Sequence, residues 1–280
     1  MGDLSGRTVM VTGGNTGIGL ATARTLAARG ARLHLACRSR PKGEAAVAAI
    51  KAATGNDGVR FLQLDLADLA AVRAGAAEFL ALGEPLHVLI NNAGVAGRRG
   101  LTSDGFELMF GVNHLGHFAL TTALLGCLAE SAGTGARIVN VSSDAHFQAK
   151  GIDFALVRRR TRSITGFPEY AVSKLCNVLF SRELARRLDG TGVTSYALHP
   201  GVVASDIWRR VPWPARPLVT RRMLTVEQGA RTSLYCATAP ELAAVSGRYY
   251  EDCAEREPSQ VATAELSKLL WQQSEEWTRA

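Results

Sequence analysis

The amino-acid sequence predicts an α/β protein: one doubly wound parallel sheet of about seven strands, with helices on both faces. Three observations predict it. Short apolar runs alternate with longer Ala-, Leu- and Arg-rich segments along the whole chain. The runs are continuous in apolar character, as strands buried on both faces require. A glycine-rich turn directly follows the first run and precedes a helical segment.

Taken in order, the first strand is 8–11, carried by Val9, Met10 and Val11, and the first helix is 17–29. Further strands are predicted at 32–36, 60–64, 88–91, 137–141, 194–198 and 249–250. Helices are predicted over 42–53, 69–82, 105–129, 169–188, 226–237 and 261–276. Thr225 stands three residues before Gln228, a capping box for the helix it opens. No repeat, low-complexity tract or linker divides the chain, so 1–280 reads as one domain. Two stretches lack periodicity, about 144–168 and 204–224. Ordered loops of that length are often binding loops or lids.

Composition excludes several classes. The 47% hydrophobic content suits a globular core. Five cysteines, an odd number with no C-x-x-C spacing, argue against a disulfide framework or a zinc site and for a reducing, cytoplasmic setting. No N-terminal apolar signal and no run of about 20 apolar residues is apparent. Gly6 breaks a myristoylation motif at Met1-Gly2. The net charge of +7 comes largely from two arginine clusters, 158–162 and 209–222. No nucleic-acid motif accompanies them, so they read as solvated loops or a basic rim near an anionic ligand or lipid surface.

The chemistry-bearing residues fall just after predicted strands. Thr12-Gly13-Gly14-Asn15-Thr16-Gly17-Ile18-Gly19 is a strand–turn–helix opening able to hold a pyrophosphate on helix N–H groups. Arg38, Asp65, Asn91-Asn92-Ala93-Gly94, Ser143 and Pro200-Gly201 follow the same rule. Tyr170 and Lys174 are i and i+4 on one helix, with Cβ atoms about 5–6 Å apart. A nearby ammonium favours the phenolate, and bringing a tyrosine about three units down takes roughly 4 kcal/mol. Asn113 is a poor helix former inside a predicted helix, which requires an explanation. His114, His117 and His199 read as satisfied core or cap residues, and no third ligand makes His114 and His117 a metal site.

In combination and in this order the motifs resemble the short-chain dehydrogenase/reductase family. Val112–Phe118, Ser173–Phe180 and Ser246–Tyr250 look like its retinol-dehydrogenase-like branch. The resemblance implies a Rossmann-type fold and an oxidoreductase acting on a lipophilic aldehyde or ketone and its alcohol. It implies Tyr170 as acid or base, Ser143 (rather than Ser142) orienting the carbonyl, and Asn113 anchoring a relay water. Lys174 would hold the cofactor ribose and depress the Tyr170 pKa. Gly13, Asn15, Thr16, Gly17, Ile18, Gly19, Asp65, Leu66, Asn92, Ala93 and Gly94 would line the dinucleotide. Pro200, Val202 and Ser205 would reach its nicotinamide end. The segment 204–224, with Trp208 and Trp213, would be a substrate lid with an apolar, basic-rimmed mouth, and peripheral membrane contact is open.

After the second strand, Cys37 holds the place where an acidic residue binds the ribose of NAD, and Arg38 is next. Arginine suits a 2′-phosphate, so NADP(H) is expected, with NAD(H) second. Alternatives are a steroid or acyl-chain ketoreductase of the same family and an idle dinucleotide-sensing protein. The chain is expected as a monomer or homodimer. Apolar faces on helices 105–129 and 169–188 serve either a partner copy or the core.

Overall fold

The computed structural model describes residues 3–203 and 223–279. Its chain order is β1 (Thr8–Thr12), α1 (Gly17–Ala28), β2 (Arg32–Cys37), α2 (Arg40–Thr54), β3 (Val59–Gln63), α3 (Leu69–Leu80) and β4 (Val88–Asn91). Next come α4 (Leu108–Glu130), β5 (Ala136–Val141), α5 (Phe167–Arg187) and β6 (Val193–His199). The chain closes with α6 (Val226–Thr238), β7 (Arg248–Glu251), β8 (Ala254–Arg256) and α7 (Ala264–Thr278). The eight strands form one sheet in the order β3-β2-β1-β4-β5-β6-β7-β8. All neighbours are parallel except β7 and β8. The strand order reverses between β1 and β4, and that switch point opens the cleft described below.

The eighth strand corrects the expected seven. A two-residue turn at Asp252 and Cys253, both with positive φ (48° and 61°), folds β8 back on β7. Hairpins of this kind usually signal themselves with Asn-Gly or Asp-Gly. An Asp-Cys pair carries no such signal, and Thr232 Oγ1 accepts from Cys253 N–H to hold it.

Two apolar layers flank the sheet. Met10, Leu89, Ile138, Phe118 and Leu179 belong to one, under α3, α4, α5 and α7. Val11, Leu35, Ile90, Val139 and Leu198 belong to the other, under α1, α2 and α6. Both faces of each central strand are therefore buried, as the continuous apolar runs require. Capping sets several helix ends. Asp68 accepts from Ala70 and Ala71 N–H at the start of α3. Thr225 and Gln228 form the expected reciprocal box on α6. Glu107 accepts from Met109 and Phe110 N–H and starts α4 three residues later than the sequence suggests.

The helix α4 has the length and mean hydropathy, 1.2, of a membrane-crossing segment, contrary to the sequence expectation, and 72% of that window is buried inside the fold. The apolar faces of α4 and α5 are covered within the chain by α3, the sheet and α7. Trp271 of α7 stands edge-on to Phe118 of α4 at 4.9 Å and stacks on Phe180 of α5 at 5.9 Å. The Arg187 guanidinium lies over its ring at 4.2 Å. Replacing Trp271 with Ala is expected to cost about 3–5 kcal/mol, as for other buried aromatics, measured by urea denaturation.

Candidate active site

The glycine turn joins β1 to α1. Gly13 and Gly17 have φ of 65° and 55°, a region other residues enter only at a cost. A Cβ on Gly19 would lie 2.4 Å from Asn92 Nδ2 and 2.5 Å from the Gly13 carbonyl, so Gly19 permits close packing of helix on turn. A Cβ on Gly17 would meet nothing, so that backbone faces open space. The start of α1 has no side-chain cap and no acidic residue in its first turn. Its N–H groups and positive dipole end are left to an anion.

This turn borders a cleft of about 330 Å³. Gly13, Asn15, Thr16, Gly17, Ile18 and Gly19 form its floor, with Arg38, Asp65, Leu66, Asn92, Ala93 and Gly94 around it. Every residue the sequence pointed to for the adenosine and pyrophosphate part of a dinucleotide is thus brought to one cleft. Thr12 holds two sides together: its Oγ1 accepts from Asn92 and Ala93 N–H, both at 2.9 Å. Asn92 Nδ2 donates to the Thr12 carbonyl at 2.8 Å. Arg38 is exposed, and among the described residues no carboxylate pairs with its guanidinium. The sequence reading missed Val95, Arg98 and Val112 on the walls, while Cys37, placed at the ribose position by the sequence, lines the cleft. Only Arg98, in an Arg98-Arg99 pair after the Asn-Asn-Ala-Gly turn, carried a visible signal.

A second cavity, about 630 Å³, shares Ile18 with the first and continues past Ala96 and Gly97. Ser142, Ser143, Tyr170, His199, Pro200 and Val202 line it. Tyr170 is half-buried at the start of α5. The two serines at the end of β5 face different partners. Ser142 Oγ donates to the Lys174 carbonyl at 2.7 Å and so ties strand to helix. Ser143 Oγ faces the cavity and donates to Asp144 Oδ1 at 3.0 Å, and its contact with the Tyr170 hydroxyl favours a lower Tyr170 pKa.

Asn113 and Lys174 are buried and line neither cavity. They meet behind Gly94: a Cβ there would lie 3.3 Å from Asn113 Oδ1 and 3.5 Å from Lys174 Nζ. Asn113 Oδ1 accepts from Val95 N–H at 2.8 Å, and its Nδ2 donates to the Val95 carbonyl and to Ser173 Oγ. It sits on a π-turn, Gly111–Leu115, that interrupts α4. Such turns are frequent at functional sites, and this one explains the asparagine inside a helix. Its backbone carbonyl accepts from His117 Nδ1, whose other nitrogen meets Thr12 Oγ1. His114 bonds Ser274 of α7. Both histidines are core residues, as expected.

Burial raises the Tyr170 pKa, Ser143 opposes that, and the Asp144 charge adds to it. The Lys174 ammonium donates to the Val141 carbonyl at 2.9 Å and stands 5.7 Å from the Tyr170 ring centre. Burial itself brings the Lys174 pKa down to about 8. Ser205 and nearly all of the expected lid, with Trp208 and Trp213, lie outside the described residues.

A doubly wound sheet with a glycine-built helix start at its switch point defines a class of dinucleotide-binding proteins. Residues 7–156 match the model of the short chain dehydrogenase family, and the chain belongs to that family. Retinol dehydrogenase 12 of Mus musculus is 50% identical over 256 residues, covering 89% of this chain and 79% of that one. Retinol dehydrogenase 11 of Homo sapiens is 47% identical over 275 residues, covering 96% and 84%. Among solved structures, an uncharacterized protein of Mycobacterium Paratuberculosis superposes with a TM-score of 0.80 at 34% identity, over 99% and 95% of the two chains.

Proposed function

We propose that the chain is an NADP(H)-dependent oxidoreductase interconverting a lipophilic aldehyde or ketone and its alcohol. The observation that carries this is the placement of the Tyr170 and Ser143 hydroxyls on one cavity that joins the dinucleotide cleft at Ile18. The cleft suits the group: Gly17 leaves room for a phosphate and the start of α1 supplies free N–H donors. When bound, the nicotinamide dinucleotide supplies or takes the hydride.

The chain's own residues handle the proton and the geometry. Ser143 donates to the substrate oxygen and orients it. Tyr170 gives its proton to that oxygen in reduction and takes it back in oxidation. Lys174 places a positive charge behind Gly94, where it would hold the cofactor ribose, and Asn113 holds the Gly94–Val95 backbone that forms this wall. Asp65 and Leu66 would hold the adenine end, and Pro200 and Val202, with Ser205 as the resemblance implies, the nicotinamide end. Phe167, Val202 and Ile164 are exposed apolar residues, the first two on the cavity itself, and they support an apolar substrate body. Five free thiols support a reducing, cytoplasmic setting. The 204–224 segment remains the proposed lid.

A panel of aldehydes followed by NADPH absorbance tests the substrate class. Long apolar aldehydes are expected to outrun small polar ones, and equal turnover removes the lipophilic assignment. The cofactor assignment rests on Arg38. Arg38→Asp removes a charge-assisted bond to the 2′-phosphate and adds repulsion. The NADPH-over-NADH preference in kcat/KM is expected to fall roughly tenfold to 150-fold. An unchanged ratio refutes the assignment.

A further inference from the structure

We propose that Asp144 sets the substrate class of this site: a carbonyl compound with a hydroxyl or ammonium group on the neighbouring carbon, favoured over a plain ketone and over a keto acid. The inference rests on the oxidoreductase reading and narrows it. Asp144 lines the same cavity as Ser143, Tyr170 and His199. Its side chain is 53% exposed, and its Oδ1 lies 3.0 Å from Ser143 Oγ and 3.9 Å from His199 Nε2.

A serine hydroxyl has one hydrogen to give. Here it goes to Asp144, so a plain carbonyl must compete with a carboxylate for it. Bonds to an ionised acceptor are the stronger kind, and the plain carbonyl starts at a disadvantage. A donor on the adjacent carbon removes the competition. Its O–H or N–H turns to Asp144, and the Ser143 hydrogen is released to the carbonyl oxygen. The two oxygens of an α-hydroxy carbonyl lie at roughly hydrogen-bond separation, ~2.8 Å, which matches the spacing of Ser143 Oγ and Asp144 Oδ1. A carboxylate in that place would meet a like charge and two unsatisfied acceptors, a means of rejection as well as selection.

The surroundings keep Asp144 available as an acceptor. His199 is buried and its Nδ1 has no hydrogen-bond partner among the described residues. Burial holds its pKa below the usual value against the pull of Asp144, so it stays neutral near pH 7 and does not cancel the charge. His146, also facing Asp144, is likewise held low by burial. Arg256, the nearby cation, is paired with Glu251. Ile18, Ala96, Phe167 and Val202 leave the rest of the cavity for an apolar chain.

Three compounds of one chain length test the proposal: a 2-ketone, its 1-hydroxy derivative and the 2-keto acid. Wild type with NADPH is expected to favour the hydroxy ketone about tenfold in kcat/KM, the equivalent of one hydrogen bond, and to disfavour the keto acid at least as much. Asp144→Val is expected to bring all three within about twofold. Asp144→Asn keeps an acceptor without the charge, so it retains the hydroxyl preference and admits the keto acid. Half-exposure of Asp144 makes both variants compatible with the fold, which thermal unfolding verifies. Ratios that are the same in wild type and both variants overturn the proposal. Calorimetric titration of the hydroxy ketone and the 2-ketone into protein mixed with NADPH reads the same ratio as Kd even where turnover is nil. Tyr170→Phe tests the oxidoreductase reading separately: it is expected to lower turnover of every compound by about 10²–10⁴ without altering those Kd ratios.

Discussion

Tyr170→Phe is expected to lower kcat for carbonyl reduction by about 10²–10⁴, the contribution of a positioned general acid, while NADPH binding and thermal stability stay near wild type. Phenylalanine keeps the ring against α5 and the cavity wall and removes only the hydroxyl. The pH dependence has a definite sign. The chain's own groups raise the Tyr170 pKa, burial first and Asp144 in addition, with Ser143 opposing. The acid form therefore persists through neutral pH and reduction is sustained there. As pH rises toward the phenol's pKa, reduction declines and alcohol oxidation, which needs the base form, gains. Steady-state rates in both directions from about pH 6 to 11, across the ordinary phenol value of ~10, check this. A Tyr170→Phe variant within tenfold of wild type would show that the proton comes from elsewhere.

Lys174→Met is expected to abolish most activity, at least about 100-fold, and at the same time to stabilise the fold. Lys174 is 4% exposed and its pKa falls from 10.5 to about 8 through burial. At 1.36 kcal/mol per unit, the charged form costs the folded state about 3 kcal/mol. Because the folded pKa lies below the unfolded one, the unfolded chain binds more protons between about pH 8 and 10.5, and this cost declines as pH rises through that window. Below pH 8 it is fully present. Methionine fills the volume without a charge. The Val141 carbonyl that Lys174 bonds still accepts from Asn177 Nδ2 at 3.1 Å, so no acceptor is orphaned. Urea denaturation at pH 7 should show the variant about 2–3 kcal/mol more stable, with the gap closing above pH 10. A destabilised variant would mean that the hydrogen bond outweighs the desolvation of the ammonium. This is the pattern of a functional residue that strains its own fold.

Much of the molecule was legible residue by residue. Continuous apolar runs such as Val9-Met10-Val11 mark strands covered on both sides, and seven of the eight strands declared themselves that way. The glycine turn announced the helix start at Gly17, and Thr225 with Gln228 announced its cap. These are local signals: a φ only glycine tolerates, a side chain that closes on its own backbone. What escaped was non-local. The Asp252-Cys253 turn is held by Thr232 from α6. The start of α4 is set by Glu107, whose Oε1 also bonds Thr161 at 2.5 Å from the far loop. Val95, after β4, and Val112, on α4, reach the cleft through the tertiary packing around the switch point.

Sequence alone determined the fold class, the position of the glycine turn and the candidate site residues, because periodicity, backbone preference and functional groups are properties of short segments. Tertiary structure decided what those groups face. It brought Lys174 to the Val141 carbonyl, gave the Ser143 hydrogen to Asp144, and laid Trp271 over α4 and α5. Those outcomes depend on distances between residues far apart in the chain, and on burial, which changes the cost of a charge in ways no local pattern encodes.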